Sequence, residues 1–441
     1  MAVHTELSAH RGAILHFRHD PGSSDDAGSY EYFPDGLLVI SAGKVAELGP
    51  AGELLPGLPV DMPVTEHPDR LLIPGFIDTH IHYPQTDVIA SGGKQLLDWL
   101  TDYTFPAERK FADALHAREV AGFFLDELMR NGTTTAQVFG TVHKVSVDEF
   151  FLAAHARQLR MIAGKPLMDR NCPEFLRDTA ASGEEETRDL IGHWHGRGRL
   201  HYAITPRFAP TSTLAQLESV GRLAQEFPDV FIHSHLAENR AEIAWVQELF
   251  PESRSYLDVY DHYGLLRDRA TYAHCIYLDE QDRRRMAASG ATAAFSPTSN
   301  LYLGSGLFNL EASDDAGMRF ALATDVGGGS SFSMLRTMSE AYKVAQLQGQ
   351  RLTPLRAFYL ATLAGARILE LDDCVGSLLP GREADFIALD LKATPLLARR
   401  SAQCKTLTEL LLVLMTLGDD RTVAETWVLG QPAKSRLSAT L

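Results

Sequence analysis

The stretch PGFIDTHIHYPQ, residues 74–85, carries two histidines two positions apart at the end of an apolar run. The run leading into it, LLIPGFIDTH (71–80), shows little alternation, as expected of a strand buried on both faces. Seven more such runs follow: TTTAQVF (133–139), LRMIAG (159–164), RLHYAIT (199–205), DVFIHSH (229–235), ATYAHC (270–275), ATAAFS (291–296) and MRFALAT (318–324). Amphipathic stretches lie between many of them. ADALHAREVAGFFLDELMR (112–130) runs into Asn131-Gly132, a helix stop. STLAQLESVGRLAQEF (212–227) opens on Ser212 as an N-cap. Strands alternating with helices imply right-handed crossovers, and eight such units predict a (β/α)₈ barrel. A doubly wound sheet gives a similar alternation.

The two ends read differently. Residues 11–70 hold short strand-like pieces separated by Gly and Pro, GLLVISAGKVAELG (36–49) among them. GSLLPGREADFIALD (376–390) and TWVLGQPA (426–433) are turn-bounded pieces of the same kind. Both ends suit a small β-sandwich assembled from the two termini. The expected division is 1–72 and 376–441 for the sandwich and terminal elements, and 73–375 for the barrel.

Composition narrows the class. Of 441 residues, 45% are hydrophobic and 22% charged, as in an ordinary globular protein. With 41 basic and 57 acidic residues the formal charge is −16, which argues against a general nucleic-acid binder. A free nucleobase carries no phosphate, so that argument leaves it open as a ligand. The four cysteines, Cys172, Cys275, Cys374 and Cys404, form no C-x-x-C pair and fit a reducing compartment. With no signal-like apolar run at the start and no stretch of about 20 apolar residues, the expectation is a cytoplasmic protein that does not enter a membrane.

On a strand, alternate side chains point the same way, so His80 and His82 can reach one ion. Neutral imidazole binds zinc at ~2.0–2.1 Å. His-x-His alone is weak evidence, since HWH (193–195) and HSH (233–235) match as well. HWH lies in a polar helix-to-turn region and reads as structural. Within HSH, one histidine reads as a ligand and the other as a packed neighbour. His235, His274 and Asp325 also stand at or just beyond strand ends. In a parallel barrel all ends of one polarity share a face. Five such residues on one rim are hard to explain by packing.

These segments resemble the amidohydrolase superfamily, and within it the guanine deaminases. PGFIDTHIHYPQ is similar to the superfamily's first-strand metal motif. The likeness continues through LLDWLTDYTFPAE (96–108), TPRFAPT (205–211), HSHLAEN (233–239), YAHCIYL (272–278), SPTSNLYLGSGLF (296–308) and ATDVGGG (323–329). The Tyr-Pro-Gln after the histidines, YTFPAE and the PRF triplet point to the guanine deaminase branch. The resemblance implies a homodimer and one zinc per chain held by His80, His82, His235 and Asp325, with His274 beside the metal. Some superfamily members bridge two metals with a carboxylated lysine on the fourth strand. Here that strand ends in Thr205-Pro206-Arg207, and Lys165 ends the third.

The implied reaction is hydrolysis of guanine to xanthine and ammonia. Glu238 would shuttle protons, Asp325 would take a proton from water, and His274 would orient the nucleophile. By spacing alone Glu238 reads equally as a carboxylate favoured near a helix N-terminus. Gln85, Arg207 and Phe208 form the implied base-binding set, with His82 and Glu238 facing the same substrate. Arg207 offers only donors, suited to guanine's O6 acceptor and not to adenine's amine. Phe208 can stack on the purine. The long segment 86–106, with Trp99, Tyr103 and Phe105, reads as a lid. The alternatives are an aminohydrolase acting on another purine or a triazine, and a non-catalytic scaffold on the same fold.

Overall fold

Gly75 divides the apolar run 71–80 between two sheets. In the computed structural model, which describes residues 7–92 and 95–433, this run is not one strand. A Cβ at position 75 would come within 2.2 Å of the Thr134 hydroxyl, so only glycine lets the chain pass there. Before it, β1 (Leu7–Phe17), β2 (Tyr30–Ser41), β3 (Lys44–Pro50) and β4 (Val64–Pro74) belong to a terminal sheet. After it come β5 (Phe76–His82), β6 (Thr133–Phe139), β7 (Arg160–Gly164), the two-residue β8 (Pro166–Leu167) and β9 (Leu200–Pro206). β10 (Phe231–Leu236), β11 (Ala270–His274), β12 (Thr292–Phe295) and β13 (Phe320–Leu322) follow, then β14 (Phe386–Asp390), β15 (Val423–Val428) and β16 (Gln431–Pro432).

The barrel strands pair in parallel in the order β5-β6-β7-β9-β10-β11-β12-β13. Closure comes from the chain after β13. The Asp325 N–H donates to the His80 carbonyl at 3.0 Å and the His82 N–H to the Val326 carbonyl at 2.8 Å. The Thr79 hydroxyl adds a bond to the Leu322 carbonyl at 3.0 Å. Each of the eight expected runs therefore contributes a barrel strand, the first only from Phe76 onward, and their C-terminal ends form one rim.

The terminal sheet has the order β16-β15-β14-β4-β1-β2-β3, so both ends of the chain build it. Phe386 and Trp427 stack at 4.5 Å and pack with Ile14, Leu38 and Leu72. Arg160 and Arg199, at the starts of β7 and β9, reach from the opposite end of the barrel to Glu383 at 2.5 and 2.7 Å. Arg199 also pairs with Asp385. These part-buried pairs tie the 376–390 segment to the barrel floor and leave the rim clear of it.

The helix after β6's predecessor spans Ala114–Arg130 and stops at Asn131, with Gly132 at φ 80° as its composition predicts. The helix of 212–227 is capped one residue later than expected. Thr213 accepts the Gln216 N–H, while the Ser212 hydroxyl donates to the Gln216 side chain. The expected lid, 86–106, is not an open loop over its described residues: short helices span Tyr83–Val88 and Leu96–Glu108, and positions 93–94 lie outside the described residues. Among the described residues, no helix is long and apolar enough to cross a membrane. The four cysteines are free.

Candidate active site

Five side chains from four strand ends meet on the rim. His80 and His82 leave the end of β5, His235 and His274 the ends of β10 and β11, and Asp325 follows β13. His274 (φ 73°) and Asp325 (φ 51°) occupy the left-handed region. Non-glycine residues pay about 1–3 kcal/mol each for such conformations, which persist where the surroundings enforce them. Here the bond from Asp325 N–H to His80 C=O does so on the carboxylate side.

The inward atoms are closely grouped. Nε2 of His82 lies 3.1 Å from Nε2 of His80 and 3.3 Å from Nε2 of His235. Asp325 Oδ1 lies 3.0 Å from His80 Nε2 and 3.3 Å from His82 Nε2. A tetrahedral ion with bonds of ~2.0–2.1 Å has ligand–ligand edges of about 3.3 Å. These four spans match such edges. One donor atom from each of His80, His235, His274 and Asp325 also falls within 4.8 Å of the others. The group can therefore hold a metal ion, with His274 at its margin, 3.7 Å from Asp325 Oδ2.

Outer partners set the tautomers. His235 Nδ1–H donates to the Arg207 carbonyl at 2.7 Å, and His274 Nδ1–H to Asn300 Oδ1 at 2.8 Å. Each leaves an Nε2 lone pair facing inward. Burial lowers the pKa of His80 and His235, and takes His82 down to about 3, keeping the imidazoles neutral as ligation requires. Burial alone would raise Asp325, but His80, His82 and His274 hold it well below the ordinary carboxylate range. Asp78, in the same motif as the two histidines, accepts the Thr324 N–H at 3.1 Å and the Thr324 hydroxyl. It fixes the Asp325 turn against β5. Lys165 is engaged elsewhere, by Asp178 at 2.5 Å and Glu186 at 3.3 Å, so nothing here favours a carboxylated bridge.

Beside the group lies a small pocket whose lining includes His82, His235, His274 and Asp325. Glu238 lines it. The helix that follows begins at Arg240, capped by Asn239, with Glu242 accepting the Glu238 and Asn239 N–H groups at 3.0 and 3.1 Å. Those residues satisfy the helix end, so the Glu238 carboxyl is not spent on it. It sits 3.3 Å from His274 Nε2 and accepts the Ser305 hydroxyl at 2.9 Å. Burial, aided by the Asp325 charge and opposed by Ser305, raises its pKa to about 8.

Arg207, Gln85 and Phe208 line the same pocket, with Trp99 and Leu100 of the 83–108 segment as apolar walls. Two of them also have partners within the protein. Arg207 Nη1 is committed to fully buried Glu108, at 2.7 and 2.9 Å, leaving its other donors for a ligand. Gln85 Oε1 accepts the Gly327 N–H at 3.1 Å, and its amide nitrogen lies 3.5 Å from Glu108. Gln85 therefore presents a partly used acceptor instead of an open mixed edge. Sequence reading did not single out Glu108, Ser305, Asn300 or Asp78. Each lies inside a quoted segment, but no spacing marks it.

A closed parallel barrel with a His/His/His/Asp group at its C-terminal rim and a pocket beside it defines a metal-site barrel of the hydrolase type. The chain belongs to the amidohydrolase family, whose model matches residues 71–433. The guanine deaminase of Escherichia coli (strain K12) is 48% identical over 426 residues, covering 96% of this chain and 97% of that protein. The solved structure of E. coli guanine deaminase matches with a TM-score of 0.94 at 48% identity, over 96% of this chain and 99% of its own. A structure of guanine deaminase from C. acetobutylicum, with guanine bound in its active site, reaches a TM-score of 0.87 at 28% identity, over 97% and 99% of the two chains.

Proposed function

We propose that this chain hydrolyses guanine to xanthine and ammonia at one zinc ion held by His80, His82, His235 and Asp325. The observation that carries the reading is the pocket itself. It places the raised carboxyl of Glu238 and the buried donors of Arg207 in one enclosure with the metal-binding group. Three imidazole nitrogens and a carboxylate oxygen at tetrahedral spacing suit zinc. A bound zinc supplies water whose pKa falls to about 7.

The chain's residues supply the rest. Glu238, protonated at neutral pH, gives its proton to N3 as oxygen adds at C2. Asp325, with Oδ1 among the ligand atoms, has Oδ2 to accept the water's proton. His274, its Nδ1 held by Asn300, turns Nε2 toward the same water and orients it. The Glu238 carboxylate then takes the proton of the hydroxyl now on C2 and passes it to the amine, the C2–N bond breaks with ammonia leaving as C2=O forms, and the proton held by Asp325 returns to Glu238. Arg207 donates to O6, Gln85 lies beside it, and Phe208 covers a purine face. His82 closes the ligand side of the pocket. Leu96, Trp99 and Leu100 of the 86–106 lid wall the pocket and exclude water. Adenine would leave the Arg207 donors facing an amine, which disfavours the rival purine reading. A non-catalytic scaffold has no use for a complete ligand set.

Metal analysis of the purified protein is expected to give about one zinc per chain, and dialysis against a chelator to abolish ammonia release from guanine until zinc is restored. Two metals per chain, or full activity in stripped protein, would defeat the proposal.

A further inference from the structure

We infer that His233 is a positioning residue for the metal centre: it accepts the Nδ1 proton of His80 and so keeps the His80 Nε2 lone pair on the ion. The inference rests on the zinc reading above. His80 Nδ1 and His233 Nε2 are 2.7 Å apart, and both residues are fully buried. If His80 ligates through Nε2, its Nδ1 must carry the proton, and a buried donor beside the ion needs an acceptor. His233 Nε2 provides that acceptor, which places the proton of His233 on its own Nδ1.

The surroundings fix both rings. They meet edge to face at 84° with centroids 4.8 Å apart, and Phe139 packs 4.4 Å from the His233 ring. His233 and His235 face the barrel interior from alternate positions on β10. Their shared spacing makes both look like ligands, yet the geometry gives them different tasks. His235 turns Nε2 to the other ligand atoms, 3.3 Å from His82, while His233 stands behind His80. The His80 lock thus comes from a neighbouring imidazole, where His235 uses a backbone carbonyl and His274 an asparagine. Among the described residues His233 Nδ1 has no hydrogen-bond partner, so the arrangement moves the unpaired N–H from the ligand His80 to His233, one ring further from the ion.

The test compares His233→Leu, which removes the acceptor, with His233→Gln, whose side-chain oxygen can replace it. Zinc affinity is read by competition with a chromogenic chelator, and site geometry by the visible spectrum of the cobalt-substituted protein. Losing an outer partner of a ligand typically costs 10–100-fold in metal affinity. His233→Leu should weaken zinc binding by about that factor and perturb the cobalt spectrum. His233→Gln should stay within a few-fold of the parent with an unchanged spectrum. Zinc held equally by the Leu variant and the parent, or equal losses in both variants, would overturn the positioning role and leave the zinc reading intact. A parent that holds no zinc would overturn both. Should the Leu variant not fold, nitrogen-15 histidine spectra of the zinc-loaded parent decide the matter. His233 protonated on Nδ1 supports the role, and His233 protonated on Nε2 overturns it.

Discussion

Glu238→Gln is expected to keep zinc and still bind guanine, while turnover falls by roughly 10²–10⁴-fold, the usual contribution of a general acid–base residue. The substitution is nearly isosteric. Gln retains an oxygen for the Ser305 hydroxyl, so the side chain should hold its place. What it lacks is a proton it can give and recover. The main structural use of a carboxylate at this point, satisfying the next helix's N-terminus, already falls to Asn239 and Glu242. A large loss of stability is therefore not expected, and thermal unfolding checks that. Steady-state kinetics and equilibrium binding of guanine separate the two effects. Turnover within a few-fold of the parent would move the proton role elsewhere. Glu242 would be the next candidate, since it lines the same pocket and burial raises its pKa to about 7.

Arg207 should control the choice of purine. A site built to hydrogen-bond a substrate group rejects the analogue lacking it by roughly 10⁴–10⁵-fold. The parent is thus expected to favour guanine over 2-aminopurine, which has no O6, by about that factor. Arg207→Ala should erase most of the preference by lowering kcat/KM for guanine far more than for 2-aminopurine. The pair with Glu108 adds a second effect. Removing one partner of a buried ion pair costs about 3–5 kcal/mol, because the other charge is left uncompensated. Arg207→Ala strands the fully buried Glu108 and should lower the melting temperature. The double variant Arg207→Ala, Glu108→Gln relieves that charge. It should recover stability without recovering the preference for guanine. Equal proportional losses on both substrates would show that Arg207 supports the pocket wall and does not read the carbonyl.

The rim was legible because its logic is one of position. His80, His82, His235, His274 and Asp325 each stand at or just past the end of an apolar run, and parallel strands put such ends on one face. What stayed hidden depends on pairing across the chain. Glu108 meets Arg207 across 99 positions, and no periodicity links a helix in a long connection to the residue after a strand. Position at the strand end singled out His235 of the HSH pair but gave no task for His233, since residues two apart on a strand face the same way. Their division of labour is set by His80, which lies 153 positions before His233. The break at Gly75 was masked by apolar residues on both sides. Only the close approach of Thr134 explains why one run serves two sheets. The cap at Thr213 in place of Ser212 is a choice between adjacent hydroxyls that local chemistry leaves nearly even.

The central claim is that the rim and pocket together deaminate guanine. Its most direct test is ammonia and purine analysis after the zinc-loaded protein is incubated separately with guanine and with adenine. The account predicts one ammonia and one xanthine for each guanine consumed, with adenine left intact. Deamination of adenine at a comparable kcat/KM, or no ammonia from guanine with zinc in place, would contradict it.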